Sequence, residues 1–201
     1  MSTDLRRRRG RSLGVIGRLG LLAVVAALAV PAAAGGSDGW SALRRPLHLP
    51  TMAPGAACPA SKIDRRIAWS RMHIFGGFGI GNGPVYPGLP NGAIWATRDE
   101  QYGSKWYGEK VFWFVVPSYR GRVLIRGRRI DAPGRVGFNG ARTPNAELRI
   151  EPYDTVSWSG QPRYSRGIPS GVRIRAKGCY AFQIDGTTFS RTVVVSADVA
   201  S

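Results

Sequence analysis

From Cys58 onward, glycine and proline recur too closely for a long helix to form. The chain holds 27 Gly and 14 Pro, packed most densely between Gly76 and Gly92. Proline lacks an amide donor, and glycine costs roughly 1 kcal/mol per helical position relative to alanine. Short strands joined by turns remain open to such a chain, and the apolar patterning agrees. Residues 110–116 (KVFWFVV) form a continuous apolar run ended by Pro117, the pattern of a strand buried on both faces. Residues 122–130 alternate, with Val123 and Ile125 set against Arg122, Arg126, Arg128 and Arg129, which predicts a strand with one wet, basic face. Short strands are also expected at 93–97, 146–150 and 172–176. Residues 179–184 and 187–196 flank Asp185-Gly186, a strong hairpin signal. The expected fold is all-β, an antiparallel Ig-like β-sandwich over residues 58–201. The Gly-rich stretch from Phe75 to Pro84 lacks the Gly-Lys-Ser/Thr and the helix of a phosphate-cradling loop, so it reads as a loop or bulged strand.

The N-terminus carries a different message. Arg6, Arg7, Arg8, Arg9, Arg11 and Arg18 precede an apolar run at 19–30, and Ala32-Ala33-Ala34 follows Pro31. Positive flank, short apolar core and small residues describe a signal peptide. Residues 1–34 are therefore read as a signal helix removed after Ala34. The alternative is an uncleaved anchor. A spanning helix needs about 20 apolar residues, and lengthening this one upstream would bury Arg18. The arginines are followed by Gly10 and Arg11, which favours the general secretory route over a twin-arginine one. Gly55-Ala56-Ala57-Cys58 lacks the aliphatic first residue of a lipoprotein box, so Cys58 is not expected to be lipidated. Residues 35–57, rich in Gly, Pro and Ala, read as a flexible tether. The expected location is secreted or associated with the cell envelope, with membrane contact only through an uncleaved leader.

Two cysteines, Cys58 and Cys179, remain. An even pair in an exported chain reads as a disulfide, here enclosing most of the domain. Two cysteines with the scattered His48 and His73 show no zinc spacing, and neither a metal nor a cofactor is expected.

Charge bears on partners. The chain has 29 basic and 12 acidic residues. The leader takes six arginines and Asp4, leaving 23 against 11, or +12, on the mature part. Such a field favours anionic partners: cell-wall polymers, anionic lipid or nucleic acid. Its even spread along the chain favours the alternative of a merely basic surface, since a dedicated binding stripe is more clustered. No RNP-like, zinc-finger or helix-turn-helix pattern supports specific nucleic-acid recognition.

Five segments occur in a telling order: Cys58-Pro59, Gly81-Asn82-Gly83, Gly92-Ala-Ile-Trp95, Val123-Leu-Ile-Arg-Gly-Arg-Arg-Ile-Asp131 and Gly178-Cys179-Tyr-Ala-Phe-Gln-Ile-Asp-Gly186. In these the chain resembles a family of small exported proteins from actinobacterial and related genomes. The resemblance spans 58–196 and implies two matching cysteines and an Ig-like C-terminal half. It implies no activity.

No catalytic constellation stands out. A Ser-His-Asp system needs a proton-accepting His. Only His73 lies inside the expected domain, with Ser70 and Asp64 near it in sequence and no Gly-x-Ser-x-Gly elbow. Asp99, Glu100 and Glu109 could pair for glycoside hydrolysis, but they sit in a polar stretch between strands. A cysteine nucleophile is disfavoured because Cys179 has Cys58 as partner. The chain is thus read as non-enzymatic, with an envelope-polymer hydrolase and a ligand-free accessory domain as alternatives. Its candidate ligand-binding residues are aromatics beside arginines in loop-like sequence: Trp106, Tyr107, Tyr153, Trp158, Arg163, Tyr164 and Arg166. Exposed, such groups can stack on sugars or hold anions; the competing role for the rings is to fill a core poor in leucine.

Overall fold

The computed structural model describes residues 38–53, 55–68, 78–98, 105–154 and 166–200. The signal-peptide reading, Ser70, His73, Asp99, Glu100, Trp158, Arg163 and Tyr164 lie outside them. The described chain is strands and turns: β1 (Ile63–Ala68), β2 (Phe78–Ile80), β3 (Val85–Leu89), β4 (Ile94–Arg98), β5 (Tyr107–Val115), β6 (Val123–Arg129), β7 (Gly137–Phe138), β8 (Leu148–Ile150), β9 (Arg166–Ile174), β10 (Gly178–Gly186) and β11 (Ser190–Val199), with short 3-10 turns at Ser41–Leu43 and Pro90–Gly92.

One ladder runs β1-β2-β3-β5 and continues through β9 to β7. A second runs β4-β11-β10-β6-β8. β4 joins them, because Thr97 and Arg98 pair with the start of β5 while residues 94–96 pair with β11. That β4–β11 pair is parallel, a departure from the all-antiparallel expectation. It arises because β4 turns back into β5 using only its last two residues, which leaves its first three to dock beside the C-terminal strand.

Both ladders contribute to one core. The period of β5 shows how. Val111, Trp113 and Val115 enter the main core with Phe138, Phe182, Ile125 and Val193, whereas Phe112 and Phe114 pack with Tyr86 on the opposite face. Both faces of β5 are therefore apolar, as its unbroken run implies. Trp113 meets Phe182 and Phe138 edge-on, at 5.6 and 6.3 Å between ring centres. Its indole N–H donates to Ser170 Oγ at 3.0 Å. Trp113→Phe removes that bond and leaves Ser170 Oγ buried without its donor. It is expected to cost about 1–3 kcal/mol. A fall in the urea midpoint with unchanged slope would show this, and no change would mean the bond contributes nothing.

Glycine at position 79 reflects close approach. A side chain at Gly79 would lie 2.8 Å from the Tyr86 ring and 2.9 Å from Ile67 Cβ. The stretch to Pro84 expected as a loop or bulged strand holds β2, and β3 follows it directly.

The expected tether is the largest correction. Residues 38–53 lie along the outer face of the second ladder. Trp40 and Leu43 bury Leu124 of β6, and Leu49 packs with Cys179, Ala181 and Val194. The supposedly wet face of β6 is therefore partly covered. Cys58 and Cys179 are joined, with Cα atoms 5.5 Å apart. The hairpin also differs in detail. β10 runs through Asp185 and Gly186, and the turn is Thr187-Thr188-Phe189, closed by Gly186 N–H donating to the Phe189 carbonyl at 2.9 Å. Asp185 is a fully buried strand residue. Its hydrogen bonds to Ser190, Gln183 and Arg126 outweigh its usual preference for turns.

Candidate functional site

Antiparallel pairing of β5 with β9 sets Tyr107 opposite Ile174 and Val115 opposite Arg166. The residues just before β5 and just after β9 therefore meet at one end. Lys105 and Trp106 precede β5, Arg175-Ala176-Lys177 link β9 to β10, and Arg98 ends β4. Arg129 ends β6, and the connection beyond it carries Arg135 and Arg142. A cavity of about 530 Å³ opens here, its walls including Trp106, Arg129, Arg135, Arg142, Arg175 and Tyr180. A second, of about 250 Å³, is lined by Arg98, Lys105, Trp106, Tyr107 and Arg175. Trp106 and Arg175 belong to both.

The two shared residues are organised by each other. Trp106 is buried, 7% exposed, and the Arg175 guanidinium stacks 4.7 Å from the centre of its ring. Arg98 lies 5.9 Å over the Tyr107 ring. Stacking restricts both side chains without neutralising them. Arg129 differs, because Asp131 grips it bidentately, Nε to Oδ1 at 2.7 Å and Nη2 to Oδ2 at 3.0 Å. That bond, aided by backbone amides, holds the Asp131 carboxyl at about 2, well below the usual carboxylate range. Tyr180 donates to the Ala176 carbonyl at 2.6 Å, and burial pushes its hydroxyl pKa up. Arg98, Lys105, Arg135, Arg142 and Arg175 have no acidic partner among the described residues. The five are exposed. The arrangement can hold anions. Among the described residues it contains no paired general acid and base.

The aromatic–arginine group expected from sequence is split. Trp106 and Tyr107 line the cleft. Tyr153 and Arg166 lie at the far end of β9, roughly 25 Å away along a nine-residue strand. Tyr153 is 76% exposed and lines neither cavity. Arg166, expected in a loop, is buried in β9, where Nη1 and Nη2 donate to the Tyr119 and Gly121 carbonyls at 3.0 and 2.9 Å. Its guanidinium also faces the Tyr119 ring at 5.9 Å, and it serves the fold. Glu109 accepts the Trp95 amide N–H at 2.6 Å, and burial pushes its pKa up. Exposed His48 uses its amide to reach Gln183 Oε1 at 2.7 Å, and Asp64 is held by Arg66. Arg135 and Arg142 stand singly in sequence, without an adjacent aromatic, and carry no signal there. The alternation Val172-Arg-Ile-Arg175 predicts two outward arginines, of which Arg175 is exposed, whereas Arg173 is buried and donates to the carbonyls of Asn139, Gly140 and Ala141.

No protein-family model matches the chain, and no curated protein does. Among solved structures it is similar to the "X-ray Crystal Structure of a Putative Lipoprotein from Bacillus anthracis", at 14% identity over 69% of this chain and 83% of that one, with a TM-score of 0.42.

Proposed function

We propose that the protein is an exported, non-enzymatic module, an Ig-like sandwich that binds anionic polymers of the cell envelope through the cleft at Trp106. One observation carries the reading: five cations, Arg98, Lys105, Arg135, Arg142 and Arg175, face two adjoining cavities with no acidic partner among the described residues. Clustering like charges in a half-enclosed space raises the free energy of the empty protein, and a bound polyanion relieves that repulsion. The leader-like N-terminus and the Cys58–Cys179 bond support export, because such bonds persist in oxidising compartments.

Isolated cell wall is the direct probe. Retention is expected at low ionic strength and release by about 0.5 M salt, where screening shortens to a few ångströms. Reversing two charges, Arg142→Glu with Arg175→Glu, is expected to weaken retention by about 10- to 100-fold, as each reversal replaces an attraction by a repulsion. Failure to bind at low salt would overturn the reading.

A further inference from the structure

We infer that the ligand of this cleft is a linear chain of phosphate groups lying across Trp106 and Arg175 and filling both cavities at once. The inference rests on the anion-binding reading above and narrows it. Arg98 and Lys105 stand on one side of the shared Trp106–Arg175 wall, and Arg135 and Arg142 on the other. A single small anion reaches only one set. A chain crossing the wall meets all five cations without leaving positive surface.

The polarity of the lining selects the chemistry. Guanidinium and ammonium groups donate hydrogen bonds and accept none. A neutral glycan presents hydroxyls, which need acceptors as well. Among the described lining residues none carries a carboxylate, and Asp131, beside the lining Arg129, is already held by it at 2.7 and 3.0 Å. Trp106 is buried and stacked by Arg175, so it offers little face to a sugar ring. A phosphate chain brings acceptors and almost no donors. Four of the five cations are arginines, whose planar forks grip two oxygens of one phosphate in parallel. The Trp106 ring holds the plane of Arg175 before the ligand arrives, which lowers the ordering cost of binding.

Calorimetry on the oxidised full chain tests this with orthophosphate, tripolyphosphate, long-chain polyphosphate and polyglutamate of matched charge. Affinity is expected to rise at least 100-fold from orthophosphate to the long chain, with polyglutamate at least tenfold weaker than that chain. Arg98→Gln with Lys105→Gln, checked for unchanged thermal unfolding, should weaken the long chain at least tenfold and tripolyphosphate less than threefold. Equal or tighter polyglutamate binding would overturn the phosphate assignment. A variant that treats long and short chains alike would overturn the crossing. Tighter binding to anionic phospholipid vesicles than to the soluble chain would assign the phosphates to a membrane and overturn the linear ligand. Those three outcomes leave anion binding standing, whereas failure of every polyanion to bind would remove both.

Discussion

Asp185→Ala is expected to destabilise the domain by about 3–5 kcal/mol, the usual cost of removing one partner from a buried ion pair. Asp185 is completely buried. Its carboxylate accepts Ser190 Oγ–H at 2.7 Å, Gln183 Nε2–H at 2.9 Å and Arg126 Nη2–H at 2.8 Å, with Arg45 Nη1 at 3.4 Å. Through Arg45, which also donates to the Phe189 carbonyl at 2.7 Å, the cluster pins residues 45–48 to β10. Removing the carboxylate leaves two arginines facing each other without their common anion, so residues 38–53 should loosen from the sheet. Amide exchange at Leu47 to Leu49 would report that loosening, and urea unfolding the loss of stability. A loss below 1 kcal/mol with those amides still protected would refute the role.

The same cluster gives a pH signature. Burial alone would push the Asp185 pKa up, but the hydrogen bonds from Ser190, Gln183 and Arg126 outweigh it and hold it below the ordinary value. Its stabilisation is therefore complete above the unfolded carboxyl pKa, about 3.9, and is lost as pH falls through the lower folded value. Asp185→Asn keeps the shape and removes the charge, so it should flatten this part of the acid limb.

Cys58→Ser with Cys179→Ser is the second large effect, expected at about 2–5 kcal/mol. The bond joins residues 121 apart, and the chain-entropy relation for so long a loop approaches the upper figure. Cys179 is also buried among Leu49, Ala181 and Val194, with Met52 and Ile130 against them, so polar serines there add desolvation to lost closure. Denaturant unfolding with and without reductant should show the oxidised wild type alone at the higher midpoint. Two titratable thiols in the untreated protein, or coincident midpoints, would refute it.

Strongly patterned segments could be read without a structure. The double-sided burial of β5 follows from its unbroken apolar run, and the pairing of the last two strands from the Asp-Gly hairpin signal between them. Segment 38–53 could not be read that way. Trp40, Leu43 and Leu49 show no period, and only the apolar face of β6 and β10 that they cover gives them meaning. Asp185-Gly186 marked the hairpin but not the place of its turn, for a related reason. Its turn chemistry is local, whereas Arg126 and Arg45 reach it from 59 and 140 residues away.

The candidate site divides along the same line. Composition and cysteine pairing alone indicated a basic, disulfide-closed, β-rich chain, and the Trp106–Tyr107 pair beside the cleft was visible as an aromatic spot. Which arginines join that pair was decided by the antiparallel register of β5 on β9. That register carries Arg175 to Trp106 and Arg166 to the opposite end, where it is buried. Charge was written into the sequence residue by residue, but a charged cleft needs loops distant in the chain to end at the same place. Long-range hydrogen-bond register and the burial of a common core decide that, and neither is a property of any one segment.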